Sequence, residues 1–315
     1  MQNNASLVVV LGTGGTIAGT AVHVGDNVGY SAAQLAAAQL VAAVPALAGV
    51  PIEVHQIAQI DSKDMDFHVW SALAEAVSLH LARPQVCGVV ITHGTDTLEE
   101  TAYFLQRVLA PAKPVALVAA MRPATALQAD GPQNLFDAVC VARTSGARGV
   151  VAVLAGKVHS ALDVRKVHTY RLDAFDSGDA GFLAQVEEGR LRQHRAWPGG
   201  EAIGLVRVPR DTAQWPVVEI VTSHAQSRAA LVLALRGAGV QGIVVAGSGN
   251  GRMHHALETA LLEAQAAGVA VLRCTRCLGG SLIDATLPAL PSASTLTPVQ
   301  ARIELMLQLL ARRAT

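Results

Sequence analysis

Aromatic residues, charge and cysteine are all scarce in this sequence, and each scarcity excludes something. Phe, Trp and Tyr together make 3% of 315 residues although 51% are hydrophobic. The core must therefore be aliphatic, rich in alanine, as in close-packed α/β layers. Charged residues reach only 15%, with 24 basic against 24 acidic and no basic run, so there is no electrostatic footprint for nucleic acid. Cysteines 87, 140, 274 and 277 are too few for a disulfide framework and suit a reducing compartment. Cys274 and Cys277 form a CxxC, but no second pair or nearby His completes a metal site, and the motif follows an apolar run rather than opening a helix. Buried or half-buried thiols are expected there. The eleven histidines show no HxxxH or HxH spacing, so no metal is expected. No apolar run reaches the roughly 18 residues a membrane span needs, because Gln, Pro and Gly interrupt each candidate. The polar start enters a strand at Leu7 without a signal-peptide pattern. The expectation is a soluble cytoplasmic protein.

What is present is an alternation of buried strands and helices. A length of 315 residues exceeds the roughly 250 to 300 at which single cores split, which predicts two domains. The most informative stretch is VCGVVITHGTDTLEET, 86–101. Its first half is a continuous β-branched run, the pattern of a parallel strand buried on both faces. Its second half opens a helix, with Thr97 and Glu100 in capping-box spacing and two glutamates in the first turn. Between them Thr92, His93, Gly94, Thr95 and Asp96 crowd polar groups onto the carboxyl end of a strand, where open α/β sheets bind ligands. N-capping accounts for Asp96 or Thr97, but not for two hydroxyls, a histidine and a carboxylate within five residues.

The first strand, Leu7 to Leu11, runs into GTGGTIAG. The glycine spacing fails as a dinucleotide fingerprint, since Ile17 stands where the third glycine belongs. What it builds is a tight turn presenting Thr13 and Thr16 beside the first cluster. Further strands are read at 50–60, 114–121, 149–155, 217–223, 242–251 and 269–276. Asp61, Ser62 and Asp64 read as caps of a helix from Met65 to Leu81, Asp130 caps another, and Thr297, Pro298 and Gln300 open the last. Three prolines and lost periodicity mark a linker at 192–216, dividing a domain at 1–191 from one at 217–315.

GTGGTIAG at 12–19 and THGTDT at 92–97 resemble the paired signatures of the bacterial-type L-asparaginase family, the asparaginase and glutaminase amidohydrolases. The likeness continues through MRPATALQADGPQNLFDAV at 121–139, LDVRKVHT at 162–169, AGSGNG at 246–251 and STLTPVQARIELMLQL at 294–309. It implies two α/β domains, the larger a flavodoxin-like doubly wound sheet and the smaller C-terminal. It also implies hydrolysis of a small-molecule amino-acid amide, L-asparagine to L-aspartate and ammonia, without a cofactor. By the same resemblance Thr16 is the nucleophile, partnered by Tyr30 on a lid loop at 20–30, and Thr95, Lys166 and Asp96 form a proton-transfer triad. A threonine hydroxyl needs such a base, and a desolvated lysine can serve. Asp96 would hold the substrate α-ammonium and Ser62 its α-carboxylate, with Lys63 a cation beside it. The family's assembly is a homotetramer, a dimer of dimers in which the second domain lends residues to a neighbour's site. Two departures fall in that domain: Arg252 stands where some members have Asn, and no Glu occurs between Arg273 and Thr286. The preference between asparagine and glutamine therefore stays open, with a glutaminase-asparaginase or a non-catalytic ligand-sensing α/β module as the alternative readings.

Overall fold

The computed structural model describes residues 6–23, 26–283 and 290–313. The chain forms two compact units, Met1–Arg210 and Asp211–Thr315.

The first unit is built on β1 (Leu7–Gly14), β4 (Ile52–Ile60), β5 (Val86–Thr92), β6 (Pro114–Val118) and β7 (Gly149–Leu154), all parallel, with two short strands, β2 (Thr20–Ala21) and β3 (Tyr30–Ser31), in the loop after β1. Their spatial order β4-β1-β5-β6-β7 is that of a flavodoxin-like doubly wound sheet, with its topological switch point between β1 and β5. Side chains alternate along each strand, so each sheet face needs its own helical cover. Val8, Val10, Val90, Ala116, Val118, Val151 and Val153 pack in one core with α1 (Ala37–Ala42) and α4 (Gly131–Arg143). Val9, Leu11, Val89, Ile91, Val115 and Leu117 are equally buried on the face of α2 (Phe67–Leu81) and α3 (Leu98–Leu109). Burial on both faces is why these strands read as unbroken aliphatic runs.

Beyond β7 the sheet continues antiparallel through β8 (Lys157–Ser160), β11 (Ala184–Glu187) and β12 (Arg190–Gln193). Two-residue turns at Ala155–Gly156 and Glu188–Gly189 make the hairpins, and both residues of each have positive φ, the geometry that matches strand twist. A two-residue ribbon, β9 (Arg165–Lys166) with β10 (Phe175–Asp176), stands apart from this sheet. Strand β12 and the backbone bonds from Ile203 and Gly204 to Arg107 and Val108 tie much of 190–204 to the first unit.

The second unit has a three-stranded parallel sheet of β13 (Val218–Thr222), β14 (Gly242–Gly247) and β15 (Ala270–Thr275). Helices α5 (Ala230–Gly237) and α6 (His255–Ala266) share a core with Val221, Ile243, Val245 and Val271, while α7 (Pro298–Arg312) lays Leu305 against Gly242. The expected capping box forms at α7: Gln300 N donates to Thr297 Oγ1 at 3.3 Å and Thr297 N to Gln300 Oε1 at 3.2 Å. Two other expected caps do not form as read. Asp66 caps α2, accepting from Val69 N at 2.8 Å, while Asp61, Ser62 and Asp64 lie in a separate short 3-10 turn. Asp130 spends its carboxylate on the backbone N–H groups of Met121 and Arg122, 3.0 Å each, bracing the turn after β6. Cys274 is buried, which pushes its thiol up to about 12, but Cys277 is exposed rather than half-buried, and all four cysteines are free. No helix among the described residues is long and apolar enough to cross a membrane.

Candidate active site

The two polar loops read from the sequence meet at the β1–β5 switch point. Contact is backbone to backbone: a Cβ on Gly15, whose φ is +83°, would lie 2.3 Å from the Cα and N of Gly94. Only glycine permits that approach. Strand β1 also shifts register against β4 between Gly12 and Gly14, a bulge of the kind that re-aims chain beside a site.

Two residues of these loops prove structural. Thr13 donates its hydroxyl to the Thr92 carbonyl at 2.9 Å, stitching β1 to β5. His93 is fully buried, and that burial lowers its pKa to about 4, so it is neutral. Its Nδ1 lies 2.7 Å from the Gly94 carbonyl and its Nε2 3.0 Å from Thr101 Oγ1, which receives Trp70 Nε1 at 2.9 Å. That chain of partners assigns the ring proton to Nδ1 and makes His93 a brace between loop and helices.

Thr16 is 7% exposed, and its Oγ1 sits 2.7 Å from Tyr30 Oη. The pairing of Ala21 with Tyr30 in the β2–β3 ribbon closes the base of the intervening loop and brings the phenol back over Thr16. Val24 and Gly25, inside the lid expected there, lie outside the described residues, as do 284–286 at the end of the stretch without Glu.

On the facing loop, Lys166 Nζ donates to Thr95 Oγ1 at 2.9 Å and to Asp96 Oδ1 at 2.6 Å. Thr95 is buried, whereas the Asp96 side chain is 52% exposed, leaving carboxylate surface for a ligand. Ser62 is buried against this loop: its Oγ accepts from Asp96 N at 3.2 Å and its carbonyl accepts the Thr97 hydroxyl at 2.8 Å. Thr97 therefore ties two loops together instead of forming the expected capping box. Lys63 is held by its own turn, with its ammonium 2.7 Å from Asp61 and 3.2 Å from Asp64, and is largely exposed. The arrangement thus offers two hydrogen-bonded threonine hydroxyls, a cation and an open carboxylate around one junction.

Sequence reasoning missed Glu99. Its carboxyl accepts the Lys166 backbone N–H at 2.9 Å, and burial pushes it up to about 7. In the sequence it reads only as helix-dipole charge. Arg122, which the sequence already suggests as a supporting residue, holds the Lys166 loop, donating to the Tyr170 carbonyl at 2.8 Å with its guanidinium 4.0 Å from the Tyr170 ring centroid. Among the described residues, Glu53, His55 and His80 bring three metal-capable atoms together. A cation already occupies that cluster: Arg83 grips both Glu53 oxygens, at 2.9 and 2.7 Å, and approaches His80 Nδ1 at 3.0 Å.

Family models match both units: the asparaginase N-terminal domain over residues 7–198 and the glutaminase/asparaginase C-terminal domain over 217–314. The chain is 37% identical to a probable periplasmic L-asparaginase of Haemophilus influenzae and 36% identical to L-asparaginase 2 of Escherichia coli, each over 96% of this chain and 88% of the relative. It is also 36% identical to a glutaminase-asparaginase of Pseudomonas fluorescens, over 88% of this chain and 77% of the relative. Among solved structures, a probable cytoplasmic L-asparaginase from Campylobacter jejuni superposes with a TM-score of 0.88 at 37% identity, covering 96% of this chain and 95% of that one. With both of its halves matched in order and its two signature loops joined at one switch point, the chain belongs to the asparaginase family of amidohydrolases.

Proposed function

We propose that the protein is an L-asparaginase that hydrolyses the side-chain amide of L-asparagine to L-aspartate and ammonia. The observation that carries this reading is the Lys166 ammonium 2.9 Å from Thr95 and 2.6 Å from Asp96, on the loop that touches the Thr16–Tyr30 loop. Thr16 Oγ attacks the amide carbon with Tyr30 hydrogen-bonded to it, ammonia leaves on protonation, and water hydrolyses the resulting ester. Thr95, Lys166 and Asp96 support the proton transfers. Asp96 takes the α-ammonium on its open face, and Ser62, beside a helix-like turn, takes the α-carboxylate, so the amino acid is oriented before chemistry. Lys63, already paired with Asp61 and Asp64, adds positive potential at the rim rather than a direct contact.

A glutaminase-asparaginase is the second reading, favoured by the Pseudomonas relatives at 36% and 35% identity. One methylene is worth only about 1 to 3 kcal/mol in a pocket, so the two activities are close neighbours. Four free cysteines favour a cytoplasmic location, and the family pattern of a shared site favours a homotetramer. Ammonia release from L-asparagine and L-glutamine, measured side by side for the parent and Thr16→Ala, tests the reading. Turnover abolished by Thr16→Ala supports it, and the ratio of the two efficiencies identifies the substrate. Release from neither amide, or full turnover by Thr16→Ala, overturns it.

A further inference from the structure

We propose that Glu99 is a positioning residue for Lys166: its carboxylate, by accepting the Lys166 backbone N–H, fixes the two-residue strand that delivers the ammonium to Thr95 and Asp96. The proposal rests on the triad reading above and adds a member to it that touches neither substrate nor reacting atoms.

The geometry is a closed ring. Residues 95 to 99 form one continuous segment, the polar loop and the first turn of α3. That segment holds Lys166 at both ends, with Thr95 and Asp96 on Nζ and Glu99 Oε2 on the backbone N–H at 2.9 Å. Among the described residues β9 and β10, two residues each, form a two-stranded sheet of their own, apart from the large one. A ribbon that short has little stability of its own. A side chain as long as lysine carries any drift of its backbone to its tip. Anchoring the backbone to the same turn that carries Thr95 and Asp96 keeps both partners of the proton transfer in one frame.

A carboxylate at this place is costly, which argues that it does something an apolar residue would not. Glu99 is half-buried, and that burial, reinforced by Glu100 on the same helix, opposes its charge. Arg165 and Lys166 on β9, together with the Lys166 N–H bond, favour it. The balance leaves its ionisation near pH 7. Ionised, it accepts a charge-assisted hydrogen bond, roughly twice as strong as a neutral one. Protonated, it grips the strand more weakly.

The test uses Glu99→Gln, which keeps an acceptor of the same length but cannot ionise. In the parent, kcat for ammonia release is expected to rise on passing from pH 6 to pH 8. In Glu99→Gln it is expected to be flat across that window and about tenfold below the parent at pH 8, with KM changed far less. Glu99→Ala is expected to fall further. A Gln variant with the parent's kcat and the parent's pH dependence overturns the proposal. A second readout needs no turnover. The chain has four lysines, 63, 113, 157 and 166, so selective ¹⁵N-lysine labelling gives four amide signals, and Lys166→Arg identifies the fourth. The Lys166 amide is expected to titrate with a midpoint near 7 in the parent and to stop doing so in Glu99→Gln. A Lys166 amide indifferent to Glu99→Gln overturns the positioning role even in a protein that releases no ammonia, whereas absent release with the titration intact overturns only the proposed reaction.

Discussion

Lys166 illustrates how a single side chain depends on its setting. A half-buried lysine ordinarily extends its ammonium toward water. Here it turns inward to a buried hydroxyl and a partly open carboxylate. Lys166→Met, which keeps the unbranched chain up to the ammonium and removes the charge, is expected to lower kcat by about 10²- to 10⁴-fold, the usual contribution of a general acid or base. Circular dichroism should remain that of the parent, and near-normal turnover would remove Lys166 from the mechanism. Glu99 yields a stability prediction with a definite sign. Its carboxyl titrates at about 7 in the folded chain against 4.5 ordinarily, so between those values the unfolded chain loses the proton that the folded chain keeps. Its stabilising contribution is complete below 4.5 and is lost as pH rises through 7, a change on the order of 3 kcal/mol. The urea midpoint of Glu99→Gln should therefore exceed the parent's at pH 8 and approach it at pH 5. A parent midpoint that rises relative to the variant between those pH values would contradict the burial argument. These two residues also mark what was legible in the sequence. Lys166 could be named only through the likeness of LDVRKVHT to a family pattern, because it lies seventy residues from its partners. Glu99 could not be named at all, since nothing in a helix's first turn says which backbone N–H it will meet.

At the level of elements, the parallel strands declared themselves because burial on both faces leaves an aliphatic run that no loop imitates, whereas the antiparallel extension through β8, β11 and β12 was not read from the sequence. The caps were less legible. Asp130 and Thr97 stand where caps stand, yet Asp130 accepts from, and Thr97 donates to, the backbone of a neighbouring loop, a choice made by tertiary contact and not by spacing. The glycines of the first loop were legible as a turn, but not as one half of a backbone-to-backbone contact with Gly94. That contact can be tested against an internal control. Gly15 and Gly49 share a φ of +83°, but a Cβ on Gly15 meets backbone at 2.3 Å, while one on Gly49 meets nothing within 4 Å. Gly49→Ala should cost only the conformational penalty of about 1 to 2 kcal/mol and leave activity unchanged. Gly15→Ala adds a collision and must separate the two site loops, so a loss of roughly 3 kcal/mol or more and of nearly all turnover is expected. Equal losses in the two variants would mean that backbone strain alone, and not the loop junction, is what Gly15 provides.

For the whole molecule the open matter is how many copies make a working site. Each unit has its own core and its own sheet, and the two candidate-site loops both lie in the first. The second unit nevertheless leaves Val217, just before β13, and Leu231 and Leu233 on α5 about half exposed, aliphatic surface that association would cover. If the family's shared-site arrangement holds, a single chain carries the hydroxyls and the triad but an incomplete substrate pocket. Light scattering is then expected to give four times the mass of one chain. Specific activity should be constant down to the concentration at which that mass begins to fall, and should fall with it below that point. Because assembly would act on the pocket and not on the nucleophile, the loss should appear in KM before kcat. A monomer that turns over asparagine as fast as the assembly would show that the residues of 1–210 suffice, and would relegate the second unit to a structural role.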